Sequence, residues 1–149
     1  MKLNGEKLTA KRIKGADSLS KEIIEICRTL GLPNLRFTVL TEKGKYTHSG
    51  CDNVSIRCSF NKNQDLQPIE KTASGGEVSR LMLGIKSIMA RKRSLPTVIF
   101  DEIDTGVSGD VADRMGRMMS EMGKEIQVMA ITHLPQVAAH GQNHYKVYK

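Results

Sequence analysis

Two short apolar segments in the second half of the sequence constrain the fold most strongly: TVIFD at residues 97–101 and IQVMAI at residues 126–131. Each has the length and apolar character of a buried strand. Parallel strands cannot be joined by a tight turn and are usually connected by a helix. Two strands separated by a helix therefore predict a parallel pair. A further amphipathic helix is predicted upstream, at residues 77–93. The intervening helix is predicted at residues 110–122, with an apolar face formed by Val111, Met115, Met118, Met119 and Met122.

The first half of the sequence favours antiparallel strands instead. Residues 36–41, RFTVLT, and residues 54–60, VSIRCSF, alternate apolar and polar side chains, as half-buried strands do. A helix is predicted at residues 18–30, and the alternating segment HYKVYK at residues 144–149 predicts another strand. Residues 1–17 are polar and basic, and we expect a poorly ordered lead-in there. The predicted class is α/β: a mostly parallel sheet with crossover helices plus an antiparallel N-terminal part.

The charge of the chain favours a polyanionic partner. Its 149 residues carry a formal net charge of +7, which suits nucleic acid or nucleotide, although a basic surface that serves only solubility fits the charge equally well. The three cysteines lack the spacing of a zinc site and fit a reducing, cytoplasmic setting. No apolar run approaches the roughly 20 residues of a membrane span, so we expect no membrane partner.

Two adjacent glycines, Gly75 and Gly76, stand at the start of the predicted 77–93 helix, between Ser74 and Glu77. The serine and the glutamate fit a capping box, in which each side chain accepts a hydrogen bond from a backbone N–H group of the first turn. A capping box does not explain the glycines, each of which weakens a helix by about 1 kcal/mol relative to alanine. A glycine pair leaves the N–H groups of a helix N-terminus uncovered, which suits a phosphate. The segment therefore predicts either a capped helix or an anion site.

Polar side chains follow both apolar strands. Asp101 and Glu102 end the first, and His133 follows the second. Ligands of open α/β sheets bind at the carboxyl ends of the strands. There an aspartate can hold Mg²⁺, a neighbouring glutamate can polarise a water, and a neutral imidazole can hydrogen-bond a γ-phosphate or the attacking water. An acidic turn and a structural histidine are the ordinary alternatives.

The order and spacing of these segments resemble the C-terminal lobe of ABC-type ATPase heads. They look like the chromosome-maintenance branch of that superfamily, and in particular like the RecN family of bacterial DNA repair proteins. The resemblance is specific over residues 72–148 and looser over residues 18–60. It is carried by ASGGEVSRLMLGIKSIMA at 73–90, PTVIFDEIDTGVSGDVA at 96–112 and ITHLPQVAAHGQNHYKV at 131–147.

The resemblance implies that residues 18–149 are the C-terminal part of such a head, and it assigns roles to single residues. The signature motif closes on the γ-phosphate of ATP held by a second head, so that two heads sandwich two nucleotides. Asp101 resembles the Walker B aspartate, which holds Mg²⁺ through water, and Glu102 resembles the general base. His133 matches the switch histidine that senses the γ-phosphate. The signature motif corresponds to Ser74, Gly75, Gly76 and Glu77, and the inter-head loop to Asp104, Thr105, Gly106 and Ser108.

One part of such heads is missing from the sequence. No G-x-x-x-x-G-K-[ST] phosphate loop occurs, and in the resembled family that loop lies in an N-terminal lobe beyond a long coiled coil. We therefore expect a fragment that binds no ATP or Mg²⁺ and hydrolyses no ATP by itself. The full-length protein would be an ATPase at the nucleoid. There the partners of this chain would be the N-terminal lobe, a second copy and DNA. Residues 18–32 form either the foot of the coiled-coil arm or an ordinary packed helix.

Three functions follow from these observations. The first is the C-terminal half of an ATP-dependent protein for repair and recombination at DNA double-strand breaks. The second is a basic nucleic-acid-binding module without nucleotide chemistry, although an aromatic content of 4% argues against stacking on single strands. The third is the head of another ABC-class ATPase. By resemblance, the segments VSRLML and DEIDTGVSG favour the first function over the third.

Overall fold

The computed structural model describes residues 2–71, 75–93, 95–101, 103–107 and 109–148. The chain divides into two compact units. The first comprises residues 1–28 and 32–73, and the second comprises residues 29–31 and 74–149. No helix within the described ranges is long and apolar enough to cross a membrane.

The first unit is built on a long β-hairpin. Strands β1 (Arg36–Thr47) and β2 (Gly50–Ser59) pair antiparallel, and a short β3 (Gln67–Pro68) pairs with β2, so that the sheet order is β1-β2-β3. A single turn of 3₁₀-helix follows at Ile69–Lys71. The two predicted strands are confirmed. Both strands extend beyond the predicted segments and meet at a turn at residues 48–49.

Helix α1 (Lys2–Thr29) is much longer than the predicted 18–30 helix and includes most of the expected lead-in. The structure therefore differs from the prediction of a poorly ordered segment at residues 1–17. Thr9 Oγ1 donates a hydrogen bond to Asp52 Oδ1 at 2.7 Å, and Arg12 Nη1 forms an ion pair with Asp52 Oδ2 at 2.8 Å. The Asp52 side chain is only 1% exposed. These contacts with β2 hold a basic segment in a helix although its own sequence has little apolar pattern.

The second unit contains the predicted parallel pair. Helix α2 (Gly75–Arg93) precedes β4 (Thr97–Asp101), and helix α3 (Gly109–Met122) crosses over to β5 (Gln127–Ile131). The strands pair in parallel, with Thr97 opposite Gln127 and Asp101 opposite Ile131. A short α4 (Pro135–Ala138) follows β5. Three of the four methionines predicted on the buried face of α3 are buried, whereas Met118 and Val111 are half-buried. The buried residues of the helix are Ala112, Met115, Gly116, Met119 and Met122.

Two expectations for the second unit differ from the structure. Strands β4 and β5 were expected to be fully buried, but Ile99, Met129 and Ile131 are each more than half exposed. These side chains project from one face of a two-stranded sheet, and among the described residues nothing covers that face. Residues 144–148 were expected to be a strand, but they have no regular structure, and Tyr145 is 93% exposed. A strand needs a neighbour for its backbone groups, and in the described part of the chain this segment has none.

Candidate functional site

The chain segments that leave β4 and β5 emerge at the same edge of the parallel sheet. Asp101 ends β4 with an exposed side chain, and it stands opposite Ile131, the last residue of β5. Thr132 and His133 follow directly, and the His133 side chain is 66% exposed. Parallel pairing thus places the predicted aspartate and the predicted histidine at one carboxyl edge, which is where α/β sheets bind ligands.

Asp104 connects the two loops at this edge. It lies three residues beyond β4, and its side chain is completely buried. The Thr132 hydroxyl donates a hydrogen bond to Asp104 Oδ2, and the backbone N–H of Leu134 donates to Thr132 Oγ1 at 3.0 Å. His133 Nδ1 lies 3.7 Å from Asp104 Oδ1. One buried carboxylate therefore contacts the residue before the candidate histidine and lies beside the imidazole itself.

The N-terminus of α2 packs against the same loop. Gly75 is exposed, and a β-carbon placed on it would meet no other described atom within 4 Å. A β-carbon on Gly76 would lie 2.7 Å from the backbone oxygen of Thr105, closer than real β-carbons come to a neighbour. Gly76 is thus required by close packing of α2 on the 103–107 loop, whereas Gly75 leaves the first turn of the helix open. Glu77 is the acidic residue of that turn.

The structure therefore brings several of the predicted site residues together through one loop. Gly76 touches Thr105, and Asp104 touches the segment that holds His133. Asp101 starts the connection to this loop, and the exposed Gly106 has a positive φ of 71°, a conformation that favours glycine. Three of the predicted residues, Ser74, Glu102 and Ser108, lie outside the described residues.

Sequence reasoning missed the inward role of Asp104 and did not single out Thr132. Asp104 was assigned to an inter-head loop, but its buried side chain is not available to a second molecule. Thr105 and Gly106, in contrast, are exposed. Their positions in the sequence could have indicated a contact between Asp104 and Thr132, because both residues closely follow parallel strands whose carboxyl ends lie at one edge.

A possible magnesium ligand is present at this edge, but the described residues form no metal-binding cluster. Among them, no three His, Cys, Asp or Glu side chains come together. The exposed Asp101 carboxylate offers the oxygen ligand that Mg²⁺ prefers, and Mg²⁺ commonly binds through one or two carboxylates while it keeps several waters. The residues present thus fit an ion that is held mainly by water and by a phosphate.

His140, Asp113 and Arg117 form another group of paired polar side chains in the second unit. His140 Nε2 is 2.8 Å from Asp113 Oδ1, and Arg117 Nε is 2.9 Å from Asp113 Oδ2. The hydrogen bond from His140 holds the pKa of the Asp113 carboxyl below its usual value, and the Arg117 charge adds to this effect. The sequence argues against a metal site at His140 and His144, because Gly141 interrupts any helix that would align them. In the structure His140 lies two residues beyond α4 and pairs with the Asp113 carboxylate of α3, so it links the segment after α4 to that helix.

Comparison with curated proteins identifies DNA repair proteins over the whole chain. The "DNA repair protein RecN" of Haemophilus influenzae is 37% identical over 151 residues, a match that covers 100% of this chain and 27% of that relative. The protein of the same name from Vibrio cholerae is 39% identical over 146 residues, covering 97% of this chain and 26% of that relative. The chain spans about a quarter of the length of these relatives. No protein-family model matches the chain.

Solved structures with the same fold are heads of SMC ATPases. A crystal structure of the SmcHead bound to the C-winged helix domain of ScpA superposes with a TM-score of 0.64 at 24% identity, over 85% of this chain and 37% of that one. A chain from a study of ATP-driven dimerization and DNA-stimulated activation of SMC ATPases gives a TM-score of 0.57 at 22% identity, over 90% of this chain and 78% of that one. These likenesses show the fold, which is that of part of an SMC-type ATPase head. These matches, at 37% and 39% identity over 100% and 97% of this chain, confirm the resemblance of the chain to the RecN family of bacterial DNA repair proteins.

Proposed function

We propose that this chain is the C-terminal lobe of a RecN-type ATPase head that acts in the repair of DNA double-strand breaks. In this proposal it supplies the signature motif, the Walker B residues and the switch histidine to a dimer of heads that sandwiches ATP. The observation that carries the proposal is the shared edge of β4 and β5, which places Asp101 at the same end of the sheet as the Asp104–His133 pair. The chain that carries this edge matches RecN proteins along its whole length.

The residues at the sheet edge would serve the nucleotide bound to the same head. Asp101 would hold Mg²⁺ through water, and the ion would neutralise charge on the phosphates. Glu102, the next residue, would act as the general base for the attacking water. His133 would accept a hydrogen bond from the attacking water beside the γ-phosphate, and its 66% exposure leaves the imidazole accessible for this role.

The N-terminus of α2 would serve the nucleotide held by a second head. Gly75 is exposed and has open space where a side chain would stand, so a phosphate could approach the backbone N–H groups of the first turn. The helix dipole would add to the attraction. Ser74 and Glu77 would complete the signature motif. Thr105 and Gly106, with Ser108, would form the surface through which two heads sense each other, while Asp104 acts inside its own head.

Hydrolysis would require a lobe with a phosphate loop, because the sequence contains no G-x-x-x-x-G-K-[ST] motif. We infer that this lobe belongs to the N-terminal part of the same long protein. The solved SMC ATPase studied for ATP-driven dimerization and DNA-stimulated activation supports a head dimer and a DNA partner for this chain as well. Work on chromosomal DNA would place the protein in the cytoplasm, at the nucleoid.

The test uses the full-length protein that carries this segment. Glu102→Gln should retain ATP binding but lower turnover by about 100-fold or more, since general-base catalysis contributes about 10²- to 10⁴-fold. Glu125→Gln, an exposed change in the same unit, is the control and should turn over normally. Normal turnover by the Glu102→Gln protein would remove this residue from the role of base.

A second variant tests the signature motif separately. Ser74→Arg should abolish ATP-dependent dimerisation, measured by light scattering after size-exclusion chromatography, because it places bulk at the surface that closes on a foreign phosphate. Ser55→Arg makes the same change at an exposed position of β2 and should dimerise normally. Unchanged dimerisation of the Ser74→Arg protein would contradict the role of this motif across the dimer.

The net charge of +7 keeps one other function open, a basic nucleic-acid-binding module without nucleotide chemistry. The two functions differ in the response to salt and ATP. DNA binding by this chain alone should be weak, independent of sequence and steeply reduced by salt. Tight binding of DNA by the chain without ATP, together with normal turnover by the Glu102→Gln protein, would favour the alternative.

A further inference from the structure

Asp104 carries a buried carboxylate oxygen whose hydrogen-bonding capacity is not used. Oδ2 accepts the hydrogen bond from the Thr132 hydroxyl. Oδ1 is buried and has no hydrogen-bond partner within the described part of the chain. A buried carboxylate without partners is strongly disfavoured, so an oxygen of this kind calls for an explanation. The His133 imidazole lies beside this oxygen, with Nδ1 at 3.7 Å.

We propose that Asp104 is a positioning residue for His133, and the inference rests on the proposed role of His133 as acceptor from the attacking water. The Nδ1–H group of the neutral imidazole donates a hydrogen bond to Oδ1 of Asp104, while the Thr132 hydroxyl holds the carboxylate in place through Oδ2. The ring is thereby fixed in the Nδ1–H tautomer. Nε2, the other ring nitrogen, is left unprotonated and directed away from the buried carboxylate.

The geometry of the pair fits this role. A separation of 3.7 Å is longer than a hydrogen bond, which ends near 3.2 Å for N–H···O, so the ring must move by about 0.5 Å to close it. Hydrogen bonds in catalytic sites are often long before the ligand binds and tighten in the complex. Thr132 precedes His133 directly, and its hydroxyl also accepts the N–H of Leu134 at 3.0 Å, so the backbone on both sides of the histidine is held.

A carboxylate that accepts a hydrogen bond from one imidazole nitrogen determines which ring nitrogen carries the proton. In this site an unprotonated Nε2 can accept a hydrogen bond from the attacking water. The opposite tautomer would present an N–H group and could only donate. Asp104 would therefore decide what His133 does at the edge of the sheet, without contacting the nucleotide itself.

The tautomer can be measured on this chain without nucleotide. Nitrogen-15 NMR of the labelled imidazoles, at a pH where they are neutral, distinguishes a protonated Nδ1 from a protonated Nε2. We expect His133 to be protonated at Nδ1 in the unmodified chain. Asp104→Asn places an amide group at the same position, and its NH₂ can donate to Nδ1, so the population should shift to the Nε2–H form.

Asp113→Asn is the matched control, because Asp113 has a similar relation to another histidine, His140. It should change the signals of His140 and leave those of His133 unchanged. Nε2 protonation of His133 in the unmodified chain would overturn the inference even if Asp104→Asn does not fold. An unchanged His133 tautomer in a folded Asp104→Asn chain would overturn it as well.

A kinetic measurement separates this inference from the proposed function. In the full-length protein, Asp104→Asn should lower ATP turnover by about 10- to 100-fold, by analogy with the loss of a carboxylate that orients a metal-binding histidine. ATP binding should change little. A shifted tautomer together with normal turnover would support the positioning role of Asp104 and refute the role of His133 at the attacking water.

Discussion

The two adjacent glycines at the start of α2 should respond in opposite ways to the same substitution. Gly76→Ala adds a β-carbon that would lie 2.7 Å from the backbone oxygen of Thr105. A relaxed C···O contact begins near 3.3 Å, so the loop and the helix must separate by about 0.6 Å. Overpacking of this kind costs about 1–3 kcal/mol, against a gain of at most about 1 kcal/mol in helix propensity. We expect a net loss of up to about 3 kcal/mol in the free energy of unfolding.

Gly75→Ala is the matched control, since a β-carbon there meets no other described atom within 4 Å. Only the propensity gain acts, and it should raise the free energy of unfolding by up to about 1 kcal/mol. For a chain of this length, roughly 2–4 °C in melting temperature corresponds to 1 kcal/mol. Gly76→Ala should therefore lower the melting temperature by up to about 12 °C, and Gly75→Ala should raise it by at most about 4 °C.

Urea and thermal unfolding of this chain, followed by far-ultraviolet circular dichroism, measure the difference. Because the chain has two compact units, hydrogen exchange of the α2 amides shows whether the change arises in the second one. Gly76→Ala should speed exchange in α2, and Gly75→Ala should not. Equal stabilisation by both substitutions would show that Gly76 is not held against Thr105, and the packing argument for the glycine pair would then fail.

Three other predictions concern the packing and charge of the chain. Leu81→Ala should lower the free energy of unfolding by about 2–5 kcal/mol, because Leu81 is fully buried, whereas Met82→Ala at a 37% exposed position should cost clearly less; urea unfolding compares them. Hydrogen bonds from Thr9 and Arg12 lower the pKa of Asp52, so its stabilising effect is complete above the unfolded pKa of about 3.9 and is lost as the pH falls through the folded pKa. Asp52→Asn should therefore weaken the loss of stability in acid, and an acid titration that is identical in the two proteins would contradict this. DNA binding by this chain should weaken along a straight line of log affinity against log salt concentration, and a salt-independent affinity would argue against contacts with phosphates.

Local patterns in the sequence predicted most of the second unit. The apolar runs that became β4 and β5, and the methionine stripe of α3, reflect periodicities within single segments of about 5 to 14 residues. The same patterns placed Asp101 and His133 after neighbouring parallel strands, so the shared edge followed from the βαβ order alone.

Contacts between distant segments determine the features that the sequence patterns did not predict. The basic N-terminal segment is helical in the structure, and its anchor Asp52 lies 40 residues or more from Thr9 and Arg12. The predicted strand at residues 144–149 shows the opposite case, because its alternating pattern is not matched by a neighbouring strand within the described residues. A periodic segment predicts which face can be buried, but the partner that buries it is specified elsewhere in the chain.

The sequence by itself determined the βαβ unit, the family and the residues that stand at the ends of its strands. Only the tertiary structure decided why Gly76 must be glycine and why Asp104 faces inwards, since both answers depend on the path of the 103–107 loop. The physical reason is the range of the interactions. Hydrophobic periodicity acts within one helix or strand, whereas a 2.7 Å approach to a backbone oxygen or a buried carboxylate beside an imidazole exists only once separate segments have packed together.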